Sequence, residues 1–203
     1  MVKTLLNEVK EYKKDTILSP VYVSIEAILE VFIPFLMAIL VDNGIEKGDM
    51  KSIWFYGFLM LVAAFVSLWA GAKSGKHAAI ASSGFAKNLR KAEYRKIQEL
   101  SFSNIDAYST SGLITRMMTD VTNIQNAYQM MIRICVRAPL MLIASLIMAF
   151  IINKEMALIF VAAVLVLGVV LFGIIFIVSP IFSRLFSRYD FLNASIQENI
   201  LGI

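Results

Sequence analysis

The sequence is poor in the residues that carry site chemistry. Its 203 residues include one cysteine, Cys135, and one histidine, His77. A single cysteine excludes a disulfide framework and any cysteine-based metal site. One histidine beside it leaves no ligand set for zinc. Charge is also scarce, with Asp, Glu, Lys and Arg making up 17% of the chain, against about a quarter in soluble domains. No proline falls between Lys73 and Leu100, so nothing there interrupts a helix by removing a backbone donor.

Apolar residues are what the chain has in excess, at 59%, and they are unevenly placed. Long uncharged runs alternate with charged ones, which points to lipid as the solvent. The net charge of +4 raises nucleic acid as a partner, but the basic residues flank apolar runs, and binding to nucleic acid is the weaker reading. A helix rising 1.5 Å per residue needs roughly 20 apolar residues to cross a ~30 Å hydrocarbon core. Four stretches approach this: 16–41, 53–72, 138–152 and 156–178. Asn153, Lys154 and Glu155 separate the last two, which predicts a tight helical hairpin. The first stretch is too long for a signal peptide and follows three acids.

Sixteen Lys and Arg residues lie before the first stretch, between 73 and 137, or after 178, and three lie in the other connections. The Lys/Arg-rich side is expected to be cytoplasmic. The expected protein is therefore all-α and polytopic, in the cytoplasmic (inner) membrane, with its N-terminus inside. The segment 73–137 reads as an intracellular helical hairpin. Phe85, Leu89, Ala92 and Lys96 keep a helical period, and Leu113, Met117, Val121, Ile124, Tyr128, Met131 and Cys135 form a seam close to a heptad. A continuous helix is expected from Asn88 to Leu100, carrying Arg90 and Arg95. The apex is rich in Ser, Asn, Asp and Gly, as turns are. Phe102, Ile105 and Tyr108 sit there with no core to enter, which suits a docking knob; the alternative is that they only close the turn. After Pro180 the apolar period continues to Ile203 and stops mid-pattern, as expected of a chain that continues further.

Glu26 and Glu30 lie one turn apart on the first stretch, and Arg133 and Arg137 one turn apart at the foot of the third. Intramembrane acids are costly, at about 2.5–3.5 kcal/mol on insertion scales, and they face a cavity or a partner. Two readings stand: a polar wall of a translocation pathway for cationic or amphiphilic substrate, or ion pairing between helices. Glu26 is 15 residues from Val41, and Arg137 is 15 residues from Ile152. Both lie roughly 22 Å below the outer boundary, so either Glu26 and Arg137 approach each other, directly or through water, with Arg133 one turn lower, or Arg137 snorkels to the inner interface and Glu26 points into the open cavity. Arg116 and Asp120 form a third such pair, expected to be structural.

Four motifs in order carry a resemblance. They are Glu30-Val-Phe-Ile-Pro34 with Val41-Asp-Asn-Gly-Ile45; Asn88-Leu-Arg90 ahead of Phe102-Ser-Asn-Ile-Asp106; Gly112-Leu-Ile-Thr-Arg-Met-Met-Thr-Asp-Val121; and the run from Asn193 to Ile203. Together they resemble the transmembrane domain of ATP-binding-cassette (ABC) exporters, nearest to bacterial heterodimeric ones, over nearly the whole chain. The resemblance implies that 1–15 is an elbow helix and that 1–203 is the four-helix portion of a six-helix domain. It implies that 102–109 (Phe102, Asn104, Ile105, Asp106 and Tyr108 among them) couple to a nucleotide-binding domain, and that Asn193 and Gln197, in the start of a second intracellular loop at 179–203, lie near a second coupling site. The implied partners are the lipid bilayer, that ATPase domain, a second transporter half, and a small-molecule, lipid or peptide substrate. No catalytic, cofactor or metal residue is expected in this chain, and ATP and magnesium would belong to the absent domain. Gly71-Ala-Lys-Ser-Gly-Lys-His77 imitates a phosphate-binding loop but lacks one residue and the Ser or Thr; Gly71 and Gly75 read instead as a close helix crossing. A stand-alone four-helix scaffold or sensor with a docking hairpin is the alternative. A secondary transporter is disfavoured because no inverted repeat or broken helix pair is visible.

Overall fold

The computed structural model describes residue 5, residues 7–99 and residues 110–201. Among these, four helices are long and apolar enough to cross a membrane. A short 3-10 helix, Asn7–Tyr12, leads into α1 (Lys13–Leu40), which ends in a π-helical turn, Val41–Ile45. α2 (Met50–Gln98) follows. Then come α3 (Thr110–Thr115), a second π turn (Arg116–Asp120), α4 (Val121–Ile152) and α5 (Lys154–Leu201).

α2 is one uninterrupted helix of 49 residues, about 74 Å long. The expected span and the arm below it are therefore a single rod, and the expected helix from residue 88 runs through Gln98. Asp49 starts it, accepting from the Lys51 amide at 3.1 Å and the Ser52 hydroxyl at 2.7 Å, which satisfies one of the orphan donors of the first turn. Proline does not break α1, which contains Pro20 and Pro34. The turn into α2 is tight. Gly48 takes φ +67°, and a Cβ on Gly44 would lie 2.7 Å from Ile53 Cγ1, so the end of α1 touches the start of α2.

The chain divides into two compact units, Met1–Met148 and Ala149–Ile203. The first is organised by the pairing of α1 with α2. Ser19, Val23, Ala27, Leu36 and Leu40 of α1 are buried, as are Ala63, Ser67, Ala70, Ser74 and Ala78 of α2. The α2 set advances by four, three, four and four residues, and its small side chains let the two backbones approach closely. Ser74 Oγ donates to the Ser19 carbonyl at 3.1 Å within this seam.

Farther along the arm the core becomes aromatic. Val9, Ala81, Phe85, Ala86, Leu89, Val121 and Tyr128 form one buried cluster, with Leu5, Tyr12, Ile124 and Ile132 packed around it. Tyr128 stacks on Phe85 with ring centroids 4.6 Å apart. Its hydroxyl lies 2.8 Å from Thr16 Oγ1. Gly84 faces the ring of Tyr12, where a Cβ has no room.

One expectation changes here. The α4 seam runs through Val121, Ile124, Tyr128 and Ile132, while Met131 and Cys135 are exposed. A helix of 3.6 residues per turn drifts off a strict heptad, and the π turn before α4 resets the register below Val121. Within the 1–15 segment, Asn7–Tyr12 is a 3-10 helix interrupted at Lys10 (φ 40°, ψ −112°), and α1 already begins at Lys13. Val9 enters the core across that break.

The second unit holds the end of α4 and all of α5. Asn153 is the only residue between the two helices, and its side-chain oxygen accepts from the amides of Glu155 (2.9 Å) and Met156 (3.2 Å). α5 has 48 residues and continues through Pro180.

Candidate functional site

A 28-residue apolar helix with acids at 26 and 30 presents both on one face, because i and i+4 stack. α4 presents Arg133 and Arg137 in the same way. The register between the helices follows from two contacts: Thr16 meets Tyr128, and Glu26 meets Arg137. α1 and α4 therefore run parallel, and their charged faces meet.

Arg137 serves both acids. Its Nη1 donates to Glu26 Oε1 at 3.0 Å, and its Nη2 donates to Glu30 Oε1 and Oε2 at 2.8 and 2.7 Å. A guanidinium carries five donors in a rigid fork, so one arginine holds two carboxylates at once, one of them bidentate. Glu26 is the more enclosed acid, with 14% of its side chain exposed against 34% for Glu30 and for Arg137. The expected approach of Glu26 and Arg137 is present as a direct ion pair. The share taken by Glu30 was missed, although its spacing from Glu26 signalled a common face.

α2 closes the cluster with glycine. A Cβ on Gly71 would lie 2.8 Å from Glu26 Oε1 and 2.9 Å from its Cδ. A Cβ on Gly75 would lie 4.0 Å from Arg133 Nη1. Gly71 is therefore a notch for the Glu26 carboxylate, while a Cβ on Gly75 would meet Arg133 at ordinary contact distance, and the Ala and Ser seam shares the close helix crossing expected of these glycines. The same residues exclude a phosphate loop: 71–77 lie in the middle of α2, where the amides are spent on the helix rather than free to cradle an anion.

A second polar group lies one level toward the arm. His77 Nδ1 sits 2.7 Å from Asp15 Oδ1, and its ring stacks on Tyr22, which meets Trp69 edge-on. Lys73 lies 5.7 Å above the Trp69 ring. Sequence reading assigned nothing to these residues.

The arm has its own clamps. Asn88 Nδ2 donates to the Glu8 carbonyl at 3.0 Å and to Glu11 Oε2 at 3.3 Å. Arg90 Nε donates to the Met117 carbonyl at 3.3 Å, and Arg90 Nη2 to Thr122 Oγ1 at 3.1 Å. The Asn88-Leu-Arg90 motif thus ties the N-terminal segment and the returning arm to α2. Phe102, Asn104, Ile105, Asp106 and Tyr108 lie outside the described residues. Asn193 and Gln197 fall within α5, and their side chains, like that of Arg116, lie outside the described set. These groups cross-link helices through charge and hydrogen bonds, which suits transmission of movement.

The chain matches the ABC transporter transmembrane region over residues 16–203. It is 31% identical over 178 residues, 88% of its length, to 31% of an uncharacterized ABC transporter ATP-binding protein of Bacillus subtilis. Over its full length it is 26% identical to 35% of an uncharacterized ABC transporter ATP-binding protein of Mycobacterium tuberculosis. Over 61% of its length it is 26% identical to 21% of an ATP-dependent lipid A-core flippase of Albidiferax ferrireducens. The chain spans about a third or less of the curated relatives it matches.

Proposed function

This chain belongs to the family of ABC transporter transmembrane regions, and from that premise we propose that it is the membrane-spanning part of an ATP-driven exporter, moving a drug, lipid or peptide substrate. Membership implies embedding in the membrane and pairing with a nucleotide-binding domain. The proposal adds outward transport, a cytoplasmic N-terminus, a six-helix domain of which these four helices are part, and a second transporter half as partner.

The observation that carries it is the 49-residue α2. A lever that starts inside the bilayer and ends well outside it transmits displacement without a joint. Arg90 fastens the returning arm to it, so both arms move as one body. The connection at 100–109 is then the place where force from ATP-driven closure enters, with Phe102 and Tyr108 as the contacts that seat on the ATPase domain. The shared ion pair of Arg137 holds α1 to α4 at the other end of the lever.

Phe102→Ala and Tyr108→Ala in the complete transporter, reconstituted in liposomes, are expected to lower transport and substrate-stimulated ATPase by about tenfold while nucleotide affinity stays within twofold. A tenfold loss corresponds to about 1.4 kcal/mol of coupling. Unchanged transport and stimulation in both variants would remove the coupling role.

A further inference from the structure

Two acids on α1, Glu26 and Glu30, face two arginines on the parallel α4, Arg133 and Arg137, and the pairing seen leaves two buried atoms without partners. Glu26 Oε2 and Arg133 Nε are both enclosed and make no hydrogen bond. A buried polar atom left unmatched costs stability, more so when its group is charged. One is an acceptor and the other a donor, so each is what the other lacks. Arg133 is one turn from Arg137 on α4, which places it at most about 6 Å along the axis from level with Glu26. That span is free of side chains on α2. Gly71 lies against the Glu26 carboxylate, and Gly75 lies against Arg133 Nη1, so one smooth edge of α2 runs past both groups.

We propose that Arg133 is the alternate partner of Glu26, and that the chain exchanges between a shared and a split pairing. In the shared pairing Arg137 holds Glu26 and Glu30 together, as seen. In the split pairing Arg133 takes Glu26, and Arg137 keeps Glu30 through its bidentate contact. The two forms carry the same charges in the same slot, so neither is heavily favoured by desolvation. The exchange needs a small slide of α4 along α1 or a swing of Arg133, both within the one-turn shifts that packed helices undergo. Gly71 is the positioning residue that keeps the slot open beside Glu26. Its use in transport rests on the function proposed above; the exchange itself rests on the cluster alone.

The test is a set of thermal unfolding curves of the full-length protein in lipid nanodiscs. Arg133→Gln alone is expected to shift the midpoint by less than about 2 °C, because Arg133 donates to neither acid in the shared form. Arg137→Met removes the donors that hold Glu26 and Glu30 and frees both acids. In that background Arg133→Gln is expected to cost about 5 °C or more, and adding Glu26→Gln is expected to erase the cost. Equal losses from Arg133→Gln in the two backgrounds overturn the proposal. Should Arg137→Met fail to fold, Glu26→Arg is compared with Glu26→Arg/Arg133→Glu. Recovery of about 5 °C in the double variant supports the exchange, and no recovery overturns it. ATPase rates of the same variants separate the exchange from the transport reading. A non-additive midpoint with wild-type ATPase leaves the exchange standing and removes its part in coupling.

Discussion

The α1–α2 pair and α5 answer the same demand, that of crossing lipid, with opposite constructions. α5 is the most apolar of the four long helices, yet none of its most apolar window is buried within the chain, and Leu165, Phe172 and Phe176 stand exposed. α1 and α2 are less apolar and more buried, and α2 meets α1 through small and polar residues: Ala70, Ser74 and Ala78 are fully covered, as is Ser19. Lipid is as apolar as leucine, so burying leucine gains little between helices in a membrane. Close backbone approach, hydrogen bonds and ion pairs decide who neighbours whom. Hydrophobicity selects the solvent, and the exceptions to hydrophobicity select the partner.

Breaking the charge cluster gives the largest expected difference. Arg137→Gln leaves two enclosed carboxylates without their shared donor, and a loss of about 3 kcal/mol or more is expected in detergent unfolding. An apolar change of similar size on α5, Phe172→Leu, is expected to stay within about 0.5 kcal/mol. Equal losses would erase the contrast between the helices.

Glycine sharpens it on a smaller scale. Gly71→Ala drives a methyl group into Glu26 and is expected to cost about 1–3 kcal/mol. Gly168→Ala on α5 meets nothing within 4 Å and is expected to be neutral, or stabilising by up to about 1 kcal/mol through helix propensity. Matching midpoints for the two variants would show that the slot against α1 yields freely.

The smallest effect lies outside both helices, at the cap of α2. The Ser52 hydroxyl, and after it the Lys51 amide, hold the Asp49 carboxyl below its ordinary pKa. A lowered folded pKa contributes stability that is full above the unfolded value, about 3.9, and that fades as pH falls through the folded one. Asp49→Asn is therefore expected to flatten the pH dependence of unfolding below about pH 4 and to leave neutral pH nearly unchanged. Because Asp49 is exposed, a steep dependence that survives the substitution would assign it to other carboxylates.

Much of this was readable before any coordinates. The apolar runs marked the four long helices, and the absence of proline after Lys73 marked α2 as continuous. Counting residues from the span ends brought Glu26 and Arg137 to one depth, because axial rise is a fixed 1.5 Å per residue. The misses share a cause. Met131 and Cys135 were placed on the seam where Ile132 lies, a displacement of one residue, or about 100° around the helix. Gly71 suits the expected helix crossing, but that it faces the Glu26 carboxylate had no signal in sequence. His77 with Asp15 and Asn88 with Glu8 join residues 62 and 80 positions apart, and no local pattern announces such pairs.

The sequence by itself determined the solvent, the number and length of the long helices, and the fact that four charges near the foot of the spans needed partners. These are properties of composition and axial rise, which each segment carries alone. Only the tertiary structure decided that Arg137 serves both acids, that Arg133 Nε is left over, and that glycine on α2 makes the room. Those outcomes depend on how the helices are rotated against one another and on side-chain reach within one turn. Rotation is set by packing among α1, α2 and α4 together, and no one of them encodes it.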